Sequence, residues 1–363
     1  MKVLILANSS SGLWHFRGEL LRKLIEDKYD VYISCPRGSY VYKVKELGCS
    51  YIETKISRRS KNIIEDFKLL KKYKKIINNI KPNVVLTYTI KPNIYGGMIC
   101  RLLKIPYLAN ITGLGTALEN KNFMQKILIY LYRIVFKNVN CVFFQNEENK
   151  QFFLKKGFNL KHYQLIPGSG VNLEKFALQK YPSEEKEINF VFISRIMKEK
   201  GIDQYLEVAE YIKNKYSNIN FYICGSCEED YIETLKKYEK KGYINYQGVV
   251  KDMHKFLENI HCTIHPTYYP EGISNVLLES CASGKPIITT NRSGCREIVD
   301  DNINGFIVKE KNTKDLIEKV EKFLKLSHEE KKKMGLNGRK KTEKQFDRNI
   351  VIDSYLKEIN KIK

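Results

Sequence analysis

Short runs rich in Val, Ile, Tyr and Phe alternate with amphipathic stretches along almost the whole chain. In the first half the apolar runs predict strands over 3–7, 31–34, 51–53, 84–88, 107–111, 142–145 and 164–166, and helical spacing predicts helices over 14–26, 60–80, 94–103, 123–136 and 147–155. The pattern restarts after the polar stretch Tyr181-Pro182-Ser183-Glu184-Glu185-Lys186, which suits a linker. Strands are then expected over 190–194, 221–224, 244–247, 263–266, 286–290 and 306–308, and helices over 203–215, 229–241, 252–258, 275–283, 313–326, 327–345 and 348–359. Alternation of this kind predicts βαβ units and parallel sheets. The fold class expected is α/β, with two facing domains, a cleft between them and C-terminal helices. The expected limits are 1–172 for the first domain, 173–188 for the linker, 189–345 for the second domain, and a closing helix at 346–363 free to cross back to the first. Ligands of such sheets bind at the carboxyl ends of the strands, so the loops there are where chemistry is sought.

One such loop reads Glu271-Gly272-Ile273-Ser274-Asn275, continues as V-L-L-E to Glu279, and is followed by S-C-A-S-G-K-P-I-I. Ser274 is expected to cap the helix that follows, whose first-turn N–H groups carry the positive end of the helix dipole and suit a phosphate. Gly272 lets a ligand approach the backbone. Glu271 and Glu279 would repel a diphosphate unless they accept hydrogen bonds from sugar or ribose hydroxyls. A second loop follows the strand F-V-F-I-S, with Arg195 at its carboxyl end and Lys200 just beyond. Two cations there suit a diphosphate. The first strand leads into Asn8-Ser9-Ser10-Ser11-Gly12, a small-residue loop open to phosphate, with His15 placed as a proton shuttle or acceptor contact. That loop is not G-x-G-x-x-G, so a dinucleotide site has no support. Tyr88-Thr89-Ile90-Lys91-Pro92-Asn93 and Asn110-Ile111-Thr112-Gly113-Leu114-Gly115-Thr116 close two further strands and could line an acceptor side.

With 363 residues, 43% of them hydrophobic, the chain can build two cores. No apolar run approaches the ~20 residues of a membrane span, and the first residues read as a strand rather than a signal peptide. Nine scattered cysteines suit reduced thiols and a cytoplasmic protein. Cys224 and Cys227 form a lone C-G-S-C without the second pair of a zinc set, and read as a strand end and turn. The net charge of +22 favours anionic partners: lipid surfaces, phosphorylated substrates or nucleic acid. Leu69, Leu70, Tyr73, Ile76, Ile77 and Ile80 form an apolar stripe opposite lysines. That stripe suits a helix covering a sheet, and it also suits a membrane interface.

Taken together, R-x4-K, E-x7-E and G-K-P-I-I, in that order from Phe190 to Val308, resemble the retaining GT-B glycosyltransferases of family 4. W-H-F-R, Y-T-I-K-P-N and N-I-T-G-L-G in the first half resemble members that build bacterial capsule, O-antigen or glycoprotein oligosaccharides on polyprenyl-diphosphate-linked sugars. The resemblance implies two Rossmann-like domains. It implies that Arg195 and Lys200 hold the donor diphosphate, that Glu271 contacts the transferred sugar and that Glu279 contacts the ribose. Amides near Gly272, Ile273, Ser274 and Asn275 would complete a cradle that Gly12 closes from the other domain. Many relatives carry a His after the fifth strand where this chain has Thr112, so no role of that His transfers.

The expected reaction moves a hexose or N-acetylhexosamine from a nucleotide sugar, with UDP favoured over GDP, to a lipid-linked saccharide at the inner face of the cytoplasmic membrane. The expected membrane attachment is peripheral and salt-sensitive. Charge developing on the diphosphate is stabilised by cations and helix amides, so no metal is obligatory and no cofactor beyond the co-substrate is expected. Two other readings stay open: a UDP-sugar 2-epimerase of the same architecture, and a basic nucleic-acid binder, for which no zinc-finger or aromatic RNA-binding motif is present.

Overall fold

The computed structural model describes residues 1–57, 62–119, 121–185, 187–227 and 230–362. Ser60, Lys186 and Glu229, which the sequence places at two helix starts and in the linker, lie outside the described residues. The chain divides into two compact units, Met1–Ser169 with Asn349–Lys363, and Gly170–Arg348.

The first unit holds seven strands: β1 (Lys2–Leu6), β2 (Asp30–Cys35), β3 (Ser50–Glu53), β4 (Val84–Tyr88), β5 (Tyr107–Ile111), β6 (Cys141–Phe144) and β7 (Tyr163–Leu165). They lie in the order β3-β2-β1-β4-β5-β6-β7 and every pairing is parallel. The order reverses between β1 and β4, the place where such sheets open a crevice. β4, β5 and β6 are buried along their whole length, which is why they read as continuous apolar runs rather than alternating ones.

On one face of this sheet the helices Ile63–Ile80 and Phe123–Phe136 pack Leu69, Tyr73, Ile76 and Ile77, and Leu128, Ile129 and Tyr132, into a shared core. The stripe read from the sequence is therefore a sheet-facing one. On the other face, Ser10–Glu26 and the closing helix Arg348–Asn360 cover the sheet with Leu20, Leu21, Leu24, Val351 and Tyr355. The closing helix is tied down by polar contacts as well. Tyr29 donates to Asn360 Oδ1 at 2.8 Å, and Tyr355 donates to Asn110 Oδ1.

Two short helices, Val41–Glu46 and Gly115–Glu119, were not legible in the pattern, because neither is long enough to show a period. The helix expected over 94–103 starts earlier, as a π turn at Pro92–Gly96 that continues into Gly97–Leu102. A Cβ at Gly96 would lie 2.6 Å from Leu6 Cδ1 and 3.3 Å from Thr87 Cγ2, so glycine lets the turn sit against β1 and β4 without displacing those side chains.

The second unit holds β8 (Ile188–Ile193), β9 (Ile219–Cys224), β10 (Asn245–Gly248), β11 (Cys262–His265), β12 (Ile287–Thr290) and β13 (Gly305–Val308), in the order β10-β9-β8-β11-β12-β13, again all parallel. The reversal here falls between β8 and β11. Tyr181, in the stretch expected as linker, is buried and donates to the His261 carbonyl at 3.1 Å. Cys224 ends β9 and Cys227 bridges to Ile196, so C-G-S-C is a strand end and turn. Burial pushes the Cys224 thiol up to about 12, which removes its nucleophilic form near neutrality.

Candidate functional site

The geometry begins where β8 ends. Ser194 donates its N–H to the Cys224 carbonyl at 3.0 Å, and the Ser194 carbonyl would lie 1.7 Å from a Cβ at Gly225, whose φ is +145°. Only glycine fits there. Arg195 leaves this strand end, and a 3-10 turn at Lys198–Lys200 carries the chain to Gly201, with φ +81°. A Cβ on Gly201 would lie 2.2 Å from the Pro266 carbonyl oxygen. Glycine thus lets the loop after β8 pack directly on the loop after β11. Two hydrogen bonds stitch the loops together: Tyr268 N–H donates to the Glu199 carbonyl at 2.9 Å, and Thr267 Oγ1 donates to the same oxygen at 3.2 Å.

That packing gathers four side chains. Lys200, buried, is paired with Glu271. Tyr269 presents its ring to both cations, 4.7 Å from Lys200 Nζ and 5.6 Å from the Arg195 guanidinium carbon. An ammonium and a guanidinium over one aromatic ring are held partly by the ring quadrupole. Beneath them His265 ends β11, fully buried, with neither ring nitrogen hydrogen-bonded. Burial, helped by the charge of Lys200, lowers its pKa to about 3, so it stays neutral and adds no competing charge.

The Glu271 loop is supported from a third strand end. After β12, Gly294 adopts φ +91°, and a Cβ there would lie 2.6 Å from the Gly272 carbonyl oxygen and 2.8 Å from Glu271 Cβ. The Gly294 carbonyl accepts from Ser274 N–H at 2.8 Å, while Gly294 N–H donates to Glu297 Oε2 at 2.7 Å. This corrects one expectation and adds a contact to another. Ser274 does occupy the N-cap of the helix Asn275–Ala282, but its side chain makes no capping hydrogen bond. Its amide, expected near a phosphate, is donated to the Gly294 carbonyl. Asn275 opens the helix, and Glu279 follows one turn later. Burial raises the Glu279 carboxyl to about 7, opposed by the charges of Lys175 and Arg348.

Gly12 and His15 belong to the first unit. Their helix starts at Ser10, not near Trp14, because Ser9 caps it and accepts the Gly12 N–H at 3.2 Å. Gly12 is therefore a first-turn helical residue rather than a loop glycine, with its amide donated to the Ser9 side chain. His15 lies in the second turn rather than the first, exposed, with its ring 4.6 Å from the Tyr40 ring and edge-on to it. Thr112 follows β5 directly. Sequence reasoning missed Tyr269, Gly294, Glu297 and His265. It also gave no role to Arg17, buried with its guanidinium carbon 5.1 Å from the Tyr88 ring and 5.5 Å from the Tyr355 ring. Among the described residues no group of three or more His, Cys, Asp or Glu side chains is placed to hold a metal ion.

Comparison with known proteins addresses both units. Residues 2–146 match the family described as "Glycosyl transferase 4-like", and residues 174–341 match "Glycosyl transferases group 1". The chain is 28% identical to the N,N'-diacetylbacillosaminyl-diphospho-undecaprenol alpha-1,3-N-acetylgalactosaminyltransferase of Campylobacter jejuni, over 98% of each chain. It is 27% identical to the capsular polysaccharide biosynthesis glycosyltransferase CapM of Staphylococcus aureus, over 96% of this chain and 94% of that one. In fold it resembles HepE of Anabaena, solved in complex with UDP, with a TM-score of 0.82 at 13% identity over 99% of this chain and 100% of that one. The Campylobacter and Staphylococcus relatives are transferases by name, and neither the epimerase nor the nucleic-acid reading finds support in them. The chain is a GT-B glycosyltransferase, 4-like in its first unit and of glycosyl transferases group 1 in its second.

Proposed function

We propose that this chain transfers a hexose or N-acetylhexosamine from a nucleotide sugar, with UDP favoured, to a saccharide carried on a polyprenyl diphosphate, with retention at the anomeric carbon. The observation that carries this reading is the cluster of Arg195, Tyr269, Lys200 and Glu271 at the end of β8. Lys200 and Glu271 are paired with each other. A donor diphosphate supplies Lys200 with a second anion and leaves Glu271 to accept hydrogen bonds from the sugar hydroxyls. The anomeric C–O bond then breaks, with its electron pair passing to the diphosphate beside Arg195 and Lys200. Cations already held at that spot stabilise the charge as it develops, without reorganising at the moment of reaction. The acceptor hydroxyl attacks from the face the diphosphate leaves, and a leaving phosphate oxygen takes its proton. This scheme needs no divalent metal.

The name of the Campylobacter relative supports the lipid-diphosphate acceptor, that of the Staphylococcus relative supports a capsule-type product, and the UDP in the Anabaena complex supports the nucleotide. Among the described residues no helix is long and apolar enough to cross a membrane. The proposed lipid-linked acceptor supports reading the enzyme as a peripheral protein at the cytoplasmic face of the membrane. Nucleic acid has no part in this reading.

The test is nucleotide release from a panel of UDP- and GDP-sugars, with and without a polyprenyl-diphosphate saccharide and with and without EDTA. Release that depends on one donor and on the lipid, unchanged by EDTA, is expected. Lipid-independent interconversion of a UDP-sugar would overturn the transfer, and loss of activity in EDTA would overturn the metal-free scheme.

A further inference from the structure

The helix Ile63–Ile80 buries Leu69, Tyr73, Ile76, Ile77 and Ile80 against the sheet, yet its first turns expose Ile63 (82%), Ile64 (66%) and Phe67 (55%). Isolated exposed apolar residues are ordinary on a soluble surface; three on adjoining turns are not. On a helical wheel Ile64 and Phe67 fall on the same outer face as Lys68, Lys71 and Lys75, all exposed. Lys71 Nζ lies 4.7 Å from the centre of the Phe67 ring. The acidic residues of the first turn, Glu65 and Asp66, fall on the inner half of the wheel, and Asp66 is paired with Lys91 at 2.7 Å. The helix thus has an apolar tip and a basic shaft on one face.

The helix Phe123–Phe136 repeats the arrangement. Phe123 (77%) and Tyr130 (63%) are exposed one face away from its buried Leu128, Ile129 and Tyr132, with Lys121 and Lys126 exposed beside them. Both helices pack on the same face of the sheet, and the short helix Gly97–Leu102 contacts each of them. The first ends just before β4 and the second just before β6, so both start at the carboxyl edge of the strands. The apolar tips, Ile63, Ile64 and Phe67 on one helix and Phe123 on the other, therefore stand on one edge of the first unit, with Tyr130 two turns further along the second helix.

We infer that these two tips form a membrane-docking surface, with the apolar side chains entering the interface of an anionic phospholipid bilayer and the lysines meeting its headgroups. The charge complementarity of the lysines selects a lipid surface over an apolar protein partner. The inference rests on the lipid-linked acceptor of the proposed function and goes beyond it. Docking by charge alone would vanish in high salt, whereas inserted Ile63, Ile64 and Phe67 leave a salt-resistant part.

The experiment is flotation of the full chain with vesicles of phosphatidylglycerol and phosphatidylcholine, or of phosphatidylcholine alone, at low salt and at about 0.5 M, where the Debye length is only ~4 Å. The wild type should float with the anionic vesicles and keep a measurable fraction at high salt. The triple variant Ile63→Ser, Ile64→Ser, Phe67→Ser should lose that fraction altogether and fall roughly tenfold at low salt. Phe67→Ser alone, an exposed single change, serves if the triple variant does not fold. Nucleotide release with a detergent-dispersed acceptor is measured in parallel and should be the same in wild type and variant. Flotation of the variant equal to that of the wild type would overturn the surface while leaving the transferase reading in place. Transfer that fails in detergent while wild-type flotation holds would overturn the transferase and not the surface. Self-association in light scattering that the triple variant disperses, with no flotation, would assign the face to a second copy of the chain and overturn the membrane.

Discussion

The two units start their sheets in the same way, with a strand beside the topological reversal followed by a helix, yet the two junctions are built differently. In the first unit β1 passes into Ser10–Glu26 over a short turn that closes on itself, with Ser9 accepting from Gly12. Its cation, Arg17, is inside the helix, buried between the rings of Tyr88 and Tyr355. In the second unit β8 passes into Ile202–Lys215 over a longer loop, and the helix begins at Gly201 with no side-chain cap. Its cations, Arg195 and Lys200, leave that loop, and Lys200 is held by a carboxylate. The first cation is held by aromatic faces that a ligand cannot replace. The second is held by an anion that a diphosphate can. A βα junction whose charges are balanced by exchangeable partners can take up a phosphate; one whose charges are balanced by the core is a structural joint.

The largest effect should separate the two junctions directly. Lys200→Ala and Glu271→Ala should each lower kcat/KM about 100- to 1,000-fold, the scale for removing one preorganised group from charge developing in a transition state. Wild-type turnover in both would sink the site. Arg17→Met should do the converse. It removes a buried guanidinium from two rings and should lower unfolding stability by about 2–4 kcal/mol in urea titration, with donor affinity unchanged in the folded fraction. A loss of donor affinity without loss of stability would place Arg17 in the binding site and collapse the distinction.

Tyr269 sharpens the comparison on a smaller scale. If its ring holds Arg195 and Lys200 in place, Tyr269→Phe should keep UDP affinity, and Tyr269→Leu should weaken it about 3- to 10-fold by calorimetry, with little change in melting temperature. Equal affinity in Phe and Leu variants would show that the ring does not matter; an equal loss in both would move the role to the hydroxyl.

Much of this was legible in the sequence, for identifiable reasons. The buried strands announced themselves because parallel strands covered on both faces are apolar throughout. Arg195, Lys200 and Glu271 stood out because charge at a strand end needs an anion. What stayed hidden depends on contacts between residues far apart in the chain. The turn of the Ser274 amide to Gly294 is set by a loop after another strand, and nothing local to Ser274 reports it. Gly12 was misplaced because a run of serines reads equally as loop or as capped helix start; the bond from its amide to Ser9 decides it. The stripe from Leu69 to Ile80 was read correctly as sheet-facing, while the exposed tip at Ile63, Ile64 and Phe67 lies in the same helix and the same apolar vocabulary. Period alone cannot tell an apolar residue that meets a core from one that extends past it.

The smallest effect concerns Glu279, and its sign is fixed by burial. The carboxyl is raised from the ordinary 4.5 to about 7 in the folded chain. Between those values the folded state binds more protons than the unfolded state, so the stability this group contributes is fully present below about 4.5 and is lost as pH rises through about 7. Glu279→Gln keeps the shape and removes the titration. The melting temperature of the variant should match wild type near pH 4.5 and exceed it slightly at pH 8, with the difference opening between the two. If Glu279 also accepts a ribose hydroxyl from the donor, wild-type affinity for UDP should strengthen as pH rises through about 7, and the variant should lose that dependence. A ribose contact and a purely structural carboxyl predict the same melting curves and different binding curves. Flat affinity in the wild type beside a sloping stability difference would confine Glu279 to the scaffold and leave donor recognition in this unit to the loops after β8, β11 and β12.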